Sequence, residues 1–584
     1  LTLREIAAIG RPYLARYKRG LALGLGALVV KDIAGAAIPL IMREGIDAIT
    51  RRDPLSTLLW IIAILLGVAA FKGLFQFWMR VILVGISRDV EFDLRNDIFT
   101  KLESLDWKFY SRFRTGDIMA RATNDLNAVR MMLGPALMYT FETSLTFVLA
   151  LAVMFSVDWQ LTLWALSPAP VVSVIVVFFG RRIHHRFERI QSVFSDITSR
   201  VQENLSGARV VRAYVQEEAE LRKFEELNRN YIGQAIRLAR LSSMFMPALQ
   251  ALIGITFLIV LWVGGLRLIE GKLTIGSYVM FNTYMGILIW PMIAFGWVVN
   301  LIERGAASLK RINEILTEEP SIKAPPAPRP LPASRDIEFR NVSMRFETNG
   351  AWRTALDGID LVIPDGATIA IVGRTGAGKS TLVHLIPRLF DPTEGAVLLG
   401  GVDLPDLDPA EVRRIIGFVP QETFLFSSTV GENIAFGVES ATQEQIRKAA
   451  ELAGLAPDIE GFPNGYATVV GERGLTLSGG QKQRTAIARA LLREPDILIL
   501  DDALSAVDTV TEERILTSLT DFMRGRTTIL ISHRVSTVRH ADCIYVLDQG
   551  RIVEQGTHDQ LLALGGYYAD LHSRQLLEQE LETI

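Results

Sequence analysis

Six apolar stretches, each long enough to cross a bilayer, crowd the first 300 residues at about 20–46, 56–84, 133–157, 160–180, 243–268 and 275–299. A spanning helix needs about 20 largely apolar residues. A water-soluble helical domain would have to bury all six, more than one core can hide. At 584 residues the chain exceeds a single core, and its 49% hydrophobic content and mean hydropathy of +0.27 come from this first half. The remainder reads as an α/β domain.

The segments between the runs suggest an orientation. The links between the first and second, third and fourth, and fifth and sixth runs are short; the third and fourth are parted only near Val157, Asp158 and Trp159. Residues 85–132 and 181–242 are long, charged and helical in pattern. Lys and Arg abound there and in the N-terminal arm (Arg11, Arg16, Lys18, Arg19), so the positive-inside rule puts these segments and the N-terminus in the cytoplasm. The basic arm without a small-residue cleavage site fits an uncleaved first span better than a signal peptide. Lys31, Asp32, Arg43, Glu44, Lys72 and Arg80 lie in or near the runs. Charges in hydrocarbon are costly, so they are expected to pair, snorkel or face a cavity. Lys31 and Asp32, being adjacent, are expected to point in different directions.

The net charge of −3 lends no support to a nucleic-acid partner. Seven scattered histidines, with no CxxC or HExxH, give no metal-site spacing of that kind. Cys543, the single cysteine, lies in the apolar run ADCIYVLD and is expected to be buried and structural. Residues 314–336 hold six prolines between Pro320 and Pro332, which predicts an extended linker between a membrane domain, 1–313, and a soluble domain, 337–584.

In that soluble domain the strand-like run ATIAIV is followed by GRTGAGKST, Gly373 to Thr381, and then by the apolar LVHLIPRLF. Strand, glycine-rich loop and helix in this order is the setting of a phosphate-binding loop. Gly373, Gly376 and Gly378 let backbone N–H groups wrap phosphate oxygens; Lys379 adds its ammonium, and Ser380 can reach Mg²⁺. Arg374, Thr375, Ala377 and Thr381 complete the candidate ATP-binding stretch. Far downstream, PDILILDDALSAVD delivers Asp501 from the end of an apolar strand to the same metal ion. Between the two lie Gln421 and LTLSGGQKQR, Leu475 to Arg484.

With these motifs the chain resembles the ATP-binding cassette transporters, specifically exporters that join six membrane helices to one nucleotide-binding domain. The resemblance covers essentially the whole chain. It implies a six-helix transmembrane domain followed by an α/β P-loop ATPase domain with a helical subdomain, and ATP and Mg²⁺ as ligands. Gly373 to Thr381 match the Walker A loop, Gln421 the Q-loop, and Ser478, Gly479, Gly480 and Gln481 the signature. Asp501 matches the Walker B aspartate, Ser505 to Asp508 the D-loop, and His533 the switch histidine. Phe109, Gly116, Asp117, Arg121 and Asp125 look like the first intracellular loop. Glu203 to Tyr214, including Gly207, Arg212 and Tyr214, look like the second. Gly471 to Gly474, with Glu472, match the segment that meets those loops. In this family two nucleotide-binding domains close head to tail, so Ser478, Gly479 and Gly480 would face the partner's ATP, while His533 and Gln421 would attend the γ-phosphate, metal and water of their own site.

The chain departs from the family at two positions. Phe346 stands where a tyrosine usually stacks on adenine, keeping the aromatic face. Asp502 stands where a glutamate normally positions the attacking water, one methylene shorter. A displacement of about 1 Å can cost roughly 10²-fold in rate, so slow hydrolysis with intact binding is expected. A doubtful own site beside an intact signature resembles one subunit of a heterodimeric exporter of drugs, lipids or peptides, with a different homologous chain as partner. The alternatives are a homodimer with two slow sites, or an ATP-gated channel or regulatory subunit. The resemblance implies a bacterial inner membrane, with an organellar half-transporter as the alternative.

Overall fold

The computed structural model describes residues 3–348, 351–471 and 477–582. The chain divides into two compact units, Leu1–Ser104 with Phe113–Glu318, and Leu105–Arg112 with Glu319–Ile584.

The first unit carries the apolar runs on six long helices: Lys18–Arg51, Leu55–Ser104, Thr115–Val157, Trp159–Ser206, Glu217–Ile269 and Ile275–Thr317. Each expected span lies within one of them. The apolar faces turn outward as well as inward: Trp60, Leu66, Phe77 and Trp262 are exposed. Contiguous surface of that kind is stable only against lipid. Asp158 ends the third helix and caps the next, accepting from the Gln160 and Leu161 amides, while its Oδ2 takes Arg267 Nη1 at 2.6 Å. Helix contact is close where small residues permit; a Cβ on Gly134 would lie 2.3 Å from Ser87 Cβ.

The helices continue beyond the apolar runs. The second has 50 residues, which at 1.5 Å per residue is about 75 Å, more than twice a hydrocarbon core. On the extension, Tyr13, Val90, Leu94, Ile98, Leu126, Val129, Leu309 and Ile312 form a core of their own. The third helix departs from α geometry at Arg121–Asp125 and Met132–Ala136, which are π-helical.

The second unit contains two sheets. The antiparallel sheet has the order β2-β1-β4-β5, with β1 Ile337–Thr348, β2 Ala351–Ile363, β4 Glu394–Leu399 and β5 Val402–Asp403. The other has the order β10-β9-β3-β8-β7-β6, from β3 Thr368–Gly373, β6 Ile416–Val419, β7 Ile497–Asp501, β8 Thr527–Ile531, β9 Cys543–Asp548 and β10 Arg551–Gly556. All neighbours in it are parallel except β9 and β10. β7 and β8 are buried throughout, as helix-covered parallel strands must be. Between β6 and β7 lies the helical subdomain, with Val430–Ala435, Gln443–Leu452, Ala456–Glu460 and Gly479–Leu492. Cys543 is half-buried in β9 rather than fully enclosed.

Of the expected linker 314–336, residues 314–317 still belong to the sixth helix; the proline-rich remainder lacks helix and extended strand and is strapped to the second unit. Ser321 donates to Asp106 through both its amide and its hydroxyl, the Arg329 amide donates to Asp406 O at 2.9 Å, and Arg335 Nε reaches Asp496 at 2.8 Å.

Candidate functional site

The sheet order brings distant residues together. β3, β8 and β7 are parallel neighbours, so their carboxyl ends lie side by side and present the phosphate loop, Ser532–His533 and Asp501–Asp502 at one edge. Open parallel sheets place ligand sites at that edge. A cavity of roughly 200 Å³ opens there, lined by Thr375, Gly376, Gly378, Lys379, Ser380, Thr381, Gln421, Asp501, Asp502 and His533, with Ala355 and Ile531.

The loop's shape depends on glycine at two points. Gly376 has φ +82° with open space where a Cβ would stand, so that side faces the cavity. Gly378 has φ +101°, and a Cβ there would meet Ala355 O at 2.4 Å. Lys379 is folded back on its own loop, donating to Gly373 O at 2.9 Å and Arg374 O at 3.0 Å. Burial pushes its ammonium below the ordinary lysine range, opposed by the charges of Asp502 and Asp501. The cation is therefore parked on carbonyls that an arriving polyphosphate would replace.

Ser380 Oγ donates to Asp501 Oδ1 at 3.1 Å, and Asp501 is 1% exposed. Its Oδ2 is buried and accepts no hydrogen bond, a costly condition for an anion. Burial raises this carboxyl above its usual range. The nearest histidine, His384, stands 4.0 Å away, and burial holds it below the usual imidazole range. A hydroxyl and an unsatisfied carboxylate oxygen at the mouth of a phosphate loop are the donor set that Mg²⁺ accepts.

Asp502 sits in left-handed backbone, φ +49°, held by its amide bond to Ile531 O at 3.0 Å. Its Oδ2 is 3.5 Å from Gln421 Nε2. His533 lines the same cavity; burial and then the Lys379 charge keep it below its ordinary range, so the ring is neutral at neutral pH. Two residues not foreseen from sequence hold these groups in place. Gln575 accepts from the Val535 amide at 2.8 Å and donates to His533 O at 2.5 Å, bracketing His533. Gln483, 6% exposed, donates to Ser505 Oγ at 2.9 Å and Asp502 O at 3.4 Å, and accepts from the Ala506 amide at 2.9 Å. Gln483 lies in the quoted signature run, two places after Gln481, and a buried glutamine inside that run was the available signal.

Other expected site residues lie around the cavity without lining it. Ala377 is buried and Arg374 stands 5.7 Å over the Tyr567 ring. Phe346 packs edge-on against Phe390 with ring centroids 5.6 Å apart. Ser478 caps the helix Gly479–Leu492 by a reciprocal box: its Oγ accepts from the Gln481 amide at 3.3 Å, and its own amide donates to Gln481 Oε1 at 3.0 Å. Its O–H remains a donor. A Cβ on Gly480 would lie 3.1 Å from Ala506 O, and one on Gly479 3.2 Å from Ala506 Cβ, so the two expected signature glycines rest on Ala506. Ser505 donates to Asp502 O at 2.9 Å, and Asp508 caps the next helix by accepting from the Thr511 amide at 2.9 Å.

The expected coupling residues fall in both units. Phe109, on the short helix Trp107–Arg112, is buried and belongs to the second. Gly116, Asp117, Arg121 and Asp125 belong to the first, where Arg121 and Asp125 tie the third helix to the sixth. Arg121 contacts Asp117 at 3.1 Å, Arg311 O at 2.7 Å and Glu314 at 3.0 Å. Asp125 accepts from Ser308 at 2.9 Å and from Arg311 Nε at 2.7 Å and Nη2 at 2.5 Å. Gly207 separates the fourth helix from the six-residue helix Ala208–Ala213, in which no residue is buried; Arg212 lies on it and Tyr214, 73% exposed, follows. Glu472 lies outside the described residues.

Residues 21–292 match the model for the ABC transporter transmembrane region, and residues 356–505 the model described as ABC transporter. Among similar proteins are a probable multidrug resistance ABC transporter ATP-binding/permease protein, YheI, of Bacillus subtilis (39% identical, covering 87% of each chain), and the multidrug resistance-like ATP-binding protein MdlA of Escherichia coli (39%, 90% of this chain and 88% of that one). An ATP-dependent lipid A-core flippase of Syntrophus aciditrophicus is 33% identical over 99% of this chain and 95% of its own. The solved structure of a bacterial Atm1-family ABC exporter with ATP bound superposes with a TM-score of 0.80 at 29% identity, covering 96% of this chain and 99% of that one. Six spanning helices, a phosphate loop at the edge of a parallel sheet and this similarity across both halves agree: the chain belongs to the ABC transporters, as an exporter with a transmembrane and an ATP-binding domain.

Proposed function

We propose that this chain is one subunit of a heterodimeric exporter that moves amphipathic or hydrophobic compounds, lipids or peptides outward by alternating access, and that its own ATP site is the slow one. The relatives are named for multidrug resistance and for lipid A-core flipping, which supports this substrate range. The observation that carries the asymmetry is Asp502. It lines the phosphate cavity beside Lys379, Ser380, Asp501 and His533, but its carboxylate sits on a side chain one methylene shorter than the family's glutamate.

In this reading Lys379 leaves Gly373 O and Arg374 O for the ATP phosphates. Gly376 and Gly378 keep the loop open to them. Ser380 and Asp501 would hold Mg²⁺, with Gln421 beside them, and the ion would supply neutralising charge for the phosphates. His533, neutral, donates to the γ-phosphate, and Phe346 offers an aromatic face to the base. Asp502 receives the water proton from too far away. Ser478, through its free O–H, and the amides of Gly479 and Gly480 complete the partner's site at a helix N-terminus. Arg121, Asp125, Gly207, Arg212, Tyr214 and Glu472 transmit closure to the membrane helices. We assign residues 1–313 to the membrane domain, 314–336 to the linker and 337–584 to the ATPase, in an inner membrane with the N-terminus and ATPase in the cytoplasm.

The test is extraction of the complex from its host membrane through a tag on this chain, followed by native mass and subunit analysis. A second six-helix chain at one-to-one stoichiometry, with glutamate opposite Asp502, is expected. An active dimer of this chain alone refutes the heterodimer. Export itself predicts ATP-dependent accumulation in inverted vesicles; ATP-dependent ion current without accumulation refutes it in favour of a channel.

A further inference from the structure

The membrane unit holds a polar cavity of roughly 300 Å³ between the first, second, third and sixth helices. Contrary to the expectation from helix geometry, the adjacent residues Lys31 and Asp32 both line it, because the four-carbon stem of lysine spans the turn between neighbouring directions. Lys31 Nζ contacts Asp32 Oδ1 at 2.8 Å and Glu142 Oε1 at 2.5 Å, and the first two residues are 4% and 6% exposed. One ammonium thus serves two carboxylates. Asp32 Oδ2 is buried without a hydrogen bond of ordinary geometry, and the Thr146 hydroxyl is the donor close enough to interact with it. Lys72 lines the same cavity and has no ion-pair partner among the described residues.

The backbone adds acceptors. Pro39 has no N–H to give the Gly35 carbonyl four residues earlier, and Pro291 has none for Ile287. Gly35 and Ile287 both line the cavity. Tyr284 stiffens the wall through its bond to Ala36 O at 2.5 Å. A structural lock between two helices would need Lys31 and one carboxylate. It would not need a second carboxylate, two released carbonyls and a lysine across the cavity that makes no ion pair among the described residues, because polar groups without full partners in a membrane are expensive.

We propose that this cavity binds the polar head of an amphipathic zwitterion, its primary ammonium held by Asp32 and the released carbonyls and its acidic group by Lys72. The proposal rests on the exporter reading for its biological sense, but the site can be tested apart from it, because binding is measured without nucleotide.

The protein, in its native complex in phosphatidylcholine nanodiscs, is titrated with tritiated lysophosphatidylethanolamine carrying a twelve-carbon chain. Competitors of equal chain length are lysophosphatidylcholine, which keeps both charges and loses the N–H donors, lysophosphatidylglycerol, which lacks the cation, and dodecylammonium, which lacks the anion. The ethanolamine compound is expected to bind about tenfold or more tightly than each of the three, the scale of one charge-assisted hydrogen bond. Lys72→Gln should weaken it and the glycerol compound about tenfold while sparing dodecylammonium. Asp32→Asn should weaken the ethanolamine compound and dodecylammonium about tenfold while sparing the glycerol compound. Since Lys72 has no partner to lose, its variant reads binding without unfolding the helix bundle. Equal binding of all four compounds, or unchanged affinity in Lys72→Gln, overturns the proposal. If binding follows the prediction and inverted vesicles accumulate nothing, the site stands and the export reading falls.

Discussion

Lengthening Asp502 by one methylene, Asp502→Glu, is the sharpest test of how this ATP site is tuned. The carboxylate now lies 3.5 Å from Gln421 Nε2, at the edge of hydrogen bonding, and shares a cavity of roughly 200 Å³ with Lys379 and His533. One more C–C bond extends its reach by up to about 1.5 Å. Misplacement on that scale is worth up to about 10²-fold in a positioned reaction, so hydrolysis at this site should rise between tenfold and a hundredfold. The substitution also has a cost. Residue 502 has φ +49°, a region that aspartate tolerates better than glutamate, so the variant should lose about 1 kcal/mol and melt about 2 °C lower. The assay must read this chain alone. Photolabelling with an azido-ATP analogue after vanadate trapping gives the turnover rate of the site on this subunit, and labelling on ice without trapping gives its affinity. Faster trapping, unchanged affinity and a small fall in melting temperature are expected together. A trapping rate within twofold of the parent, with affinity unchanged, would refute the claim that chain length at residue 502 limits hydrolysis.

Asp501→Asn should cut Mg²⁺-dependent nucleotide affinity by tenfold or more while leaving metal-free binding nearly intact, read by titrating a fluorescent nucleotide with and without Mg²⁺. Gln483→Ala removes the bonds to Ser505 and the Ala506 amide, so it should destabilise the ATPase unit by about 1 kcal/mol and slow vanadate trapping at the partner's site more than at its own. Asp125→Ala breaks the paired bond to Arg311, which is 45% exposed at its side chain; allowing for that exposure, about 1 to 2 kcal/mol should be lost, seen as a lower melting temperature. His558 bonds Tyr568 at 2.8 Å, and burial and then His572 hold it below the ordinary imidazole range. The unfolded chain therefore takes up this proton first as pH falls through about 6.5, stability present above that value is lost below it, and His558→Gln should flatten the acid limb of a melting-temperature profile.

Much of this was legible because the strongest signals are local. An apolar run of spanning length and a strand followed by GRTGAGKST each carry their own physical constraint within a few residues, and the helices and the phosphate loop formed where those runs lie. What depends on tertiary packing was not legible. Gln575 sits on the helix Tyr567–Glu582, 42 residues from the His533 carbonyl it holds, and nothing in its neighbourhood marks it. Lys31 and Asp32 meet although adjacent because helix geometry fixes only the Cα–Cβ directions, whereas a lysine ammonium lies four bonds beyond Cβ. The strapping of Ser321 and Arg329 also escaped a reading of composition, since proline content reports stiffness and says nothing of what the stiff segment lies against.

The bonds of Gln483 bear on how two ATP sites in one dimer can communicate. The signature helix and the Walker B strand β7 are joined through one buried side chain that touches Asp502 O, Ser505 Oγ and the Ala506 amide. Ser505 also donates to Asp502 O, and Ala506 lies under both signature glycines. Packed interiors transmit small shifts because there is no free volume to absorb them. Were Asp502 to shift on binding nucleotide, these contacts would carry the shift to the floor beneath Gly479 and Gly480. In a head-to-tail dimer those are the groups offered to the other subunit's ATP, so a site that hydrolyses slowly can still govern the geometry of one that hydrolyses fast.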